Sequence, residues 1–180
     1  MADINKGQGE EGETYEFAKI DASGYGSIAT GFVQLDSSIQ TDEKSCGALA
    51  NGCATNRGII IAKGYGSHAE GYASNGKIEA SGNGAHAEGT GTIASGDYSH
   101  AEGSGTTASN FGAHAEGSGT TATGMFSHAE GGRTKATGND AHAEGFLTDA
   151  SAEYSHAEGD RTKALSKGAH AEGVETIADA

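Results

Sequence analysis

The eight histidines of this chain are its clearest candidates for chemistry. Each opens the tetrapeptide His-Ala-Glu-Gly, and successive copies start 14 residues apart after a first gap of 18 residues. Imidazole beside carboxylate is the chemistry of metal sites, of acid–base pairs and of buried hydrogen-bond networks. Which of these the repeat supports depends on the elements that hold the copies. The histidines are His68, His86, His100, His114, His128, His142, His156 and His170.

The composition narrows the class of protein. Leu, Ile, Val and Phe number 21 of 180 residues and the net charge is −14, a combination typical of disordered chains. Glycine, however, is abundant at 31 residues and proline is absent. Because proline cannot donate a backbone hydrogen bond, its absence favours a chain whose backbone is paired along its length. The acidic excess argues against nucleic-acid binding through phosphate contacts.

Other features of the whole chain exclude further classes. No apolar run is long enough to cross a bilayer, so we predict no membrane insertion. The first 20 residues contain neither the basic nor the apolar segment of a signal peptide. Cys46 and Cys53 lie seven residues apart, outside the histidine repeats, in a spacing that fits neither a redox motif nor a zinc finger. We interpret them as small apolar residues, with a disulfide as the alternative.

The 14-residue period predicts a β-solenoid. A second short element lies seven residues after a histidine, as in Ile-Ala-Ser-Gly from Ile93 and Thr-Ala-Thr-Gly from Thr121. Half-units this short are too small for helices, whereas strands of about three or four residues fit them. Alternation along each strand turns the alanines of both half-units into one thin interior. We therefore predict an all-β fold, a narrow parallel β-roll of 14-residue coils.

The repeat continues in weaker form toward the N terminus. The segment at 24–31, Gly-Tyr-Gly-Ser-Ile-Ala-Thr-Gly, matches the segment at 64–71, Gly-Tyr-Gly-Ser-His-Ala-Glu-Gly. This match places Ile28 at a histidine position, and Leu49 and Ile61 are assigned to the same position in the coils between. The segments at 32–45 and 72–78 are predicted to be inserted loops. The predicted organisation is a linker or attachment segment at 1–23 and a roll at 24–180, degenerate over 24–63 and regular over 64–180.

A second period of 28 residues lies above the first. The residue before each histidine alternates between serine and alanine, and three of the serines follow an aromatic residue, namely Tyr98, Phe126 and Tyr154. The tetrapeptide Arg-Thr-Lys-Ala also recurs at this distance, at Arg133 and Arg161. We predict that each aromatic ring packs over the glycine of the next coil, a large side chain against a small one.

The two faces of the predicted roll differ in how strictly they repeat. One face keeps His-x-Glu unchanged over eight coils, whereas the other varies from Ile-x-Ser to Thr-x-Thr and Lys-x-Leu. Solvent tolerates variation, but a packed interface repeated coil by coil requires sameness. We therefore predict that the unchanged face forms a subunit interface. The predicted interface residues are Ile28, Leu49, Ile61, His68, Glu70, His86, Glu88, His100, Glu102, His114, Glu116, His128, Glu130, His142, Glu144, His156, Glu158, His170 and Glu172.

These units resemble a known family. Gly-Ser-Ile-Ala-Thr-Gly, Gly-Ala-Leu-Ala-Asn-Gly and the Ser-His-Ala-Glu-Gly repeats look like the YadA-type head repeats of trimeric autotransporter adhesins, and they are similar to His-Ala-Glu-Gly arrays of phage and prophage tail-fibre proteins. The resemblance covers residues 24–180 and implies a left-handed parallel β-roll assembled as a homotrimer. It also implies that the side chains from His68 to Glu172 face the three-fold axis. The chain departs from the family in having His and Glu where the family has Val and Ile.

The repeated face admits several chemical interpretations. We predict hydrogen-bonded His–Glu networks that join three chains, in which ionised pairs lower the pKa of Glu and raise the pKa of His. Three histidines around an axis would alternatively suit Zn, Ni or Fe, so the eight histidines are the metal candidates, although we predict no metal or other cofactor. The dyads lack a distinct nucleophile, so we predict no enzyme activity. Ice binding by the Thr-rich face is disfavoured because Lys135, Asp149 and Lys163 interrupt it.

The sequence thus predicts a structural and adhesive fibre segment. The first interpretation is part of a phage tail fibre or tail-associated protein on the virion tail, which serves as a rigid spacer or as a receptor-binding head. The alternative is the head domain of a bacterial trimeric autotransporter adhesin at the cell surface. The predicted partners are further copies of the same chain and a host-surface glycan or protein, bound through the varied face or the inserted loops.

Overall fold

A computed structural model of the chain describes residues 18–34 and 36–179. These residues contain 21 β-strands and no helix, so no helix of membrane-spanning length occurs among them. Odd-numbered strands form an 11-stranded sheet and even-numbered strands form a 10-stranded sheet, each in chain order with parallel neighbours. One strand from each sheet makes one coil, and the coils stack into a β-solenoid. The predicted all-β parallel solenoid is confirmed.

Strands of the two sheets alternate along the chain and shorten toward the C terminus. The even-numbered strands are β2 (Ile28–Val33), β4 (Leu49–Thr55), β6 (His68–Ser74), β8 (His86–Thr90), β10 (His100–Ser104), β12 (His114–Ser118), β14 (His128–Gly132), β16 (His142–Phe146), β18 (His156–Asp160) and β20 (His170–Val174). The odd-numbered strands are β1 (Lys19–Ala22), β3 (Ser38–Thr41), β5 (Ile59–Ala62), β7 (Lys77–Ala80), β9 (Ile93–Ala94), β11 (Thr107–Ala108), β13 (Thr121–Ala122), β15 (Lys135–Ala136), β17 (Asp149–Ala150), β19 (Lys163–Ala164) and β21 (Ile177–Ala178).

The register of the even-numbered sheet follows the repeat residue for residue. His100 pairs with His86 on one side and with His114 on the other, and the Ala, Glu and Gly that follow each histidine pair in the same way. Equivalent residues of successive coils therefore form straight rows. Parallel strands lie about 4.8 Å apart, and this distance sets the spacing within each row.

Four small side chains fill each regular coil. In one coil they are Ser99, Ala101, Thr106 and Ala108, each exposed by 1% or less. The Ser99 hydroxyl donates a hydrogen bond of 2.7 Å to the carbonyl oxygen of Gly96, so this buried polar group is paired. The prediction that alanines from both half-units share one thin interior is confirmed.

The coils are wider at the N-terminal end. The distance in sequence between register partners of the even-numbered strands falls from 21 residues to 19, then 18, and then 14. The extra length holds Ile39, Ile60 and Ile78, which form one row at 0% exposure. Threonines of similar shape continue this row into the narrow coils, and their Oγ1 atoms make no hydrogen bond with the described residues. These threonines are Thr92, Thr106, Thr120, Thr134, Thr148 and Thr162.

The predicted organisation needs correction at this wide end. Strand β1 pairs with β3, so the stack has already formed before residue 24, while residues 1–17 of the predicted linker lie outside the described residues. The segment predicted as a loop at 32–45 contains the end of β2 and all of β3. The segment at 72–78 contains the end of β6 and the start of β7. These insertions lengthen the strands instead of leaving the sheets, because their isoleucines point into the core.

The glycine of each His-Ala-Glu-Gly lies where two coils approach most closely. Gly117 has a φ of 110°, and a Cβ there would overlap the carbonyl oxygen of Gly131 in the next coil. An L side chain rarely adopts this φ, and the backbone it would strike belongs to the hydrogen-bonded ladder. Gly105 differs, because its φ is 66° but a Cβ there meets nothing within 4 Å. Arg133 occupies the equivalent corner of another coil with a φ of 56°.

We predict that Gly117→Ala destabilises the protein far more than Gly105→Ala. The first substitution combines backbone strain with an overlap that the ladder cannot relieve, and we expect a loss of about 3 kcal/mol or more. The second introduces only left-handed strain, about 1 kcal/mol. Urea unfolding followed by circular dichroism measures both. Equal losses for the two variants would contradict the close-approach argument.

Candidate functional site

The histidines form one continuous stack on the outer surface of the even-numbered sheet. Adjacent imidazole rings lie 4.6–4.8 Å apart between centroids, with interplanar angles of 1–21°. Each ring projects outward because the alanine that follows it projects inward. The repeat and the register therefore place every predicted histidine in a single row. Its members are His68, His86, His100, His114, His128, His142, His156 and His170.

The glutamates form a second row beside the first. Nε2 of His68 lies 3.2 Å from Oε2 of Glu70, and the same pair of atoms lies 3.6–4.0 Å apart in five other coils. The side chains of these pairs are 31–38% exposed for histidine and 33–48% exposed for glutamate. The glutamates are Glu70, Glu88, Glu102, Glu116, Glu130, Glu144, Glu158 and Glu172. The predicted partnership of His and Glu is thus present within one chain, at the outer limit of ion-pair distance in most coils.

The Nε2 atoms are shielded although the rings are partly exposed. From His68 to His156, every Nε2 is almost inaccessible to solvent and makes no hydrogen bond of good geometry with the described residues. A buried imidazole nitrogen without a partner costs free energy. The serine before alternate histidines does not supply one, because the Ser127 hydroxyl, for example, donates to the carbonyl oxygen of Gly124. The row is therefore incompletely satisfied in the single chain.

The apolar residues assigned to the same row divide into two groups. Ile28 pairs with Leu49, and Leu49 pairs with His68, so both continue the histidine row into the wide coils. Ile61 does not, because it lies in β5 of the odd-numbered sheet, where it pairs with Glu79. The assignment of Ile61 to the histidine row is therefore wrong. Its strand is apolar at four consecutive positions, so the alternation that marks a face is lost there.

Stacking lowers the pKa of the histidines. The pKa values of His86, His114, His128 and His156 lie below the ordinary value, first because burial disfavours the imidazolium and second because adjacent histidines repel its charge. The neighbouring glutamates raise these pKa values, but by less. The predicted upward shift of the histidine pKa is therefore wrong for the single chain. The neutral imidazole is the form that this row favours.

Three groups within the rows bring metal-binding atoms close together. Each consists of two adjacent histidines and the glutamate between them, with candidate ligand atoms within 4.8 Å of one another. However, stacked parallel rings direct their nitrogen lone pairs in parallel, whereas tetrahedral coordination needs lone pairs that converge. A single chain therefore offers at most one histidine and one carboxylate to an ion in good geometry. The groups are His68 with Glu70 and His86, His142 with Glu144 and His156, and His156 with Glu158 and His170.

The aromatic residues of the 28-residue period lie at the corner that precedes the even-numbered strands. The ring of Tyr98 lies over Gly84 and that of Phe126 over Gly112, so that a Cβ on these glycines would come within 3.1 and 2.8 Å of the rings. Packing of an aromatic ring over glycine is confirmed, although the glycine belongs to the preceding coil. The ring of Phe111 bridges Tyr98 and Phe126 edge to face, at 5.4 Å from each centroid.

Sequence reasoning missed the backbone at this corner. Tyr98, Phe126 and Tyr154 have φ values of 54–59°, the left-handed region in which other coils have glycine. An L residue there costs about 1–2 kcal/mol. The signal was present in the sequence, because these aromatics replace glycine at a fixed distance before histidine.

One shallow pocket opens beside the wide coils. It is lined by Gln34, Asp36, Asn56, Arg57 and Asn75, from the turns that follow β2, β4 and β6. This pocket lies in or next to the segments predicted to contact a ligand. The cysteines take no part in it, and both are free thiols, so the alternative prediction of a disulfide is wrong.

Comparison with known proteins adds no family assignment. No protein-family model matches the chain. No curated protein matches it either. The site is therefore interpreted from its own geometry.

We predict that acid destabilises the protein through the histidine row. The unfolded histidines bind protons at about pH 6.5 and the folded ones only at lower pH, so that the unfolded state binds more protons between these values. Stability is thus fully present above about pH 6.5 and is lost as the pH falls through the lowered pKa values. Thermal unfolding at several pH values above about 5, where glutamate stays ionised, measures this effect.

The variant His114→Gln provides the control for this prediction. It removes one titrating ring from the centre of the stack, so the loss of stability on acidification should be smaller than in the parent chain. A melting temperature that is constant or rises as the pH falls to about 5 would contradict the lowered pKa values.

Proposed function

We propose that this protein is a structural, adhesive fibre segment of a phage tail fibre or tail-associated protein, built as a left-handed homotrimeric roll on the virion tail. The alternative proposal is the head domain of a bacterial trimeric autotransporter adhesin. Both rest on the resemblance of the repeats. They share one physical claim, namely that the histidine–glutamate face is covered by two further copies of the chain.

The observation that carries the proposal is the unfinished state of this face. Its Nε2 atoms are shielded but unpaired among the described residues, and its wide end continues in Ile28, which is 54% exposed. Polar groups in protein interiors are hydrogen-bonded, and exposed apolar rows mark interfaces. Carboxylates from neighbouring copies would supply acceptors for protonated nitrogens, and Ile28 and Leu49 would close one end of the same interface. Closed cyclic symmetry lets the repeated face serve all copies alike.

A spacer role follows from how the coils are stacked. Each coil contacts only its neighbours, so the solenoid extends by about 4.8 Å per coil in one direction. No pocket lines the regular coils in the described part of the chain, and each coil repeats the same groups. This uniformity suits a rod that holds another part at a distance.

A receptor-binding role is favoured by the wide end instead. The pocket there joins one arginine and one aspartate with three amide side chains, and Asp36, Asn56, Arg57 and Asn75 all have left-handed backbones. Strained polar residues at a rim are typical of binding sites. Amides, a carboxylate and a guanidinium would suit the hydroxyl and charged groups of a host-surface glycan.

We predict a solution mass of three times the chain mass of 17.9 kDa, measured by size-exclusion chromatography with light scattering. The variant Glu116→Lys should dissociate the trimer, because it places three like charges near the axis and removes a carboxylate from the shared face. Asp149→Lys is the matched control, since it makes the same charge reversal on the odd-numbered sheet. A monomeric parent chain, or equal dissociation by both variants, would contradict the proposed interface.

We predict that, if the wide end is a binding head, Arg57→Gln and Asn75→Ala abolish binding to host cells or to a glycan array. Both side chains line the pocket on the exposed rim, so the trimer mass should not change. Lys163→Gln, on the opposite sheet of a narrow coil, is the control for loss of a positive charge. Absence of binding by the parent trimer would assign the segment to the spacer role.

A further inference from the structure

The histidine–glutamate face is bounded by two corners of opposite character. We call the residue two positions before each histidine the entry corner and the residue five positions after it the exit corner. Both corners have left-handed backbones, with φ of 54° at Phe126 and 56° at Arg133, for example. A five-residue strand, β14, separates these two residues. At about 3.3 Å per residue, this strand spans about 16 Å.

Large residues at the two corners occur together in the same coils. In the coil of His128 the entry corner is Phe126 and the exit corner is Arg133. In the coil of His156 the corresponding residues are Tyr154 and Arg161. The intervening coil carries Asp140 and Leu147 at these positions, so the aromatic–arginine combination recurs with the 28-residue period.

These side chains are held outward at an energetic cost. The rings of Phe126 and Tyr154 are 53% and 54% exposed, and both arginines are exposed. All four occupy a backbone region in which glycine would fit without strain. Arg133 makes no ion pair with the described residues, and its stem lies over Gly119 of the preceding coil. Backbone strain that the fold retains at exposed large side chains points to a contact outside the chain.

Three-fold symmetry would bring these two corners together. If the histidine–glutamate faces of three parallel copies meet at an axis, the entry corner of one copy meets the exit corner of the next at the same height. Such a head-to-tail contact closes after three subunits. We infer that Phe126 and Tyr154 of one copy stack on Arg133 and Arg161 of the adjacent copy, in a seam along each subunit boundary. This inference rests on the proposed trimer.

The chemistry of the two corners is complementary. A guanidinium over an aromatic ring is an attractive cation–π contact, strengthened when both groups leave water. The entry side also carries Asp140 and Glu153, whereas the exit side carries the two arginines. Tyr154 already accepts a cation within its own chain, because Nζ of Lys167 lies 5.2 Å from the ring centroid. The acidic entry side would repel phosphates and acidic glycans, so a second copy fits it better than an anionic ligand.

Disulfide trapping tests the seam directly. Phe126→Cys and Arg133→Cys are introduced together in a Cys46→Ser, Cys53→Ser background of the full chain. A disulfide needs Cα atoms about 4.4–6.8 Å apart, so the two new cysteines cannot bond within one chain across a strand of about 16 Å. Under mild oxidation we expect a covalent trimer on non-reducing gels. The matched control is Phe126→Cys with Lys135→Cys, in which the second cysteine lies on the odd-numbered sheet and should give no such product.

The outcomes separate the seam from the trimer itself. A variant that is trimeric by light scattering but does not cross-link, or that cross-links no better than the control, overturns the seam and leaves the proposed trimer intact. A background protein that is monomeric before oxidation overturns both. A covalent trimer formed only by the Phe126–Arg133 pair supports the seam.

Charge-neutral variants provide a second measurement that needs no cysteine. Arg133→Gln with Arg161→Gln should raise the concentration at which half the trimer dissociates by about tenfold or more, because each seam loses its cation–π contacts. Lys135→Gln with Lys163→Gln removes the same number of charges two residues along the chain, on the outer sheet, and should leave that concentration unchanged. Equal effects of the two double variants would mean that net charge, and not the seam, controls assembly.

Discussion

Hydrogen bonding between parallel strands in strict register is the constraint on which the rest of this protein depends. A coil filled by alanine, serine and threonine buries too little apolar surface to offset the entropy of its own chain. The coils are therefore stable only when stacked, and stacking requires that the backbones approach without hindrance. The glycine of each His-Ala-Glu-Gly permits this approach, since a Cβ would strike the next coil. Absence of proline is the complementary requirement, because each interior coil uses its backbone donors in the ladder.

Strict register also places like beside like. Imidazole stacks on imidazole at 4.6–4.8 Å, and carboxylate follows carboxylate in the neighbouring row. Like charges on adjacent strands are destabilising, so a row of this kind is tolerable only when its histidines are neutral. Burial and mutual repulsion lower the histidine pKa in the same direction. The fold thus converts a repeated titratable residue into a predominantly neutral, partly shielded surface that suits contact with other copies.

The corners are where the repeat gains variety without losing the ladder. Large side chains enter there in left-handed positions that glycine fills elsewhere, and they cover a glycine in the preceding coil. The wide coils vary in a different way, since the row of Ile39, Ile60 and Ile78 expands the core before threonine replaces it. One end of the solenoid therefore has an apolar core and a polar pocket at its rim, while the remainder is a uniform rod. This division between a distinctive end and a uniform shaft is what a fibre segment needs.

The sequence by itself determined the coil, because an identical unit repeated every 14 residues leaves one register in which all copies are equivalent. That equivalence was sufficient to place alanine inside, His and Glu together on one face, and aromatic rings over glycine. Where the repeat decays, the sequence no longer indicates the face, so Ile61 was assigned to the wrong sheet and strands were taken for loops. The direction of the histidine pKa shift was decided only by the tertiary structure. It depends on how deeply each nitrogen is buried and how closely the rings stack, and these distances arise from coils that are far apart in the chain.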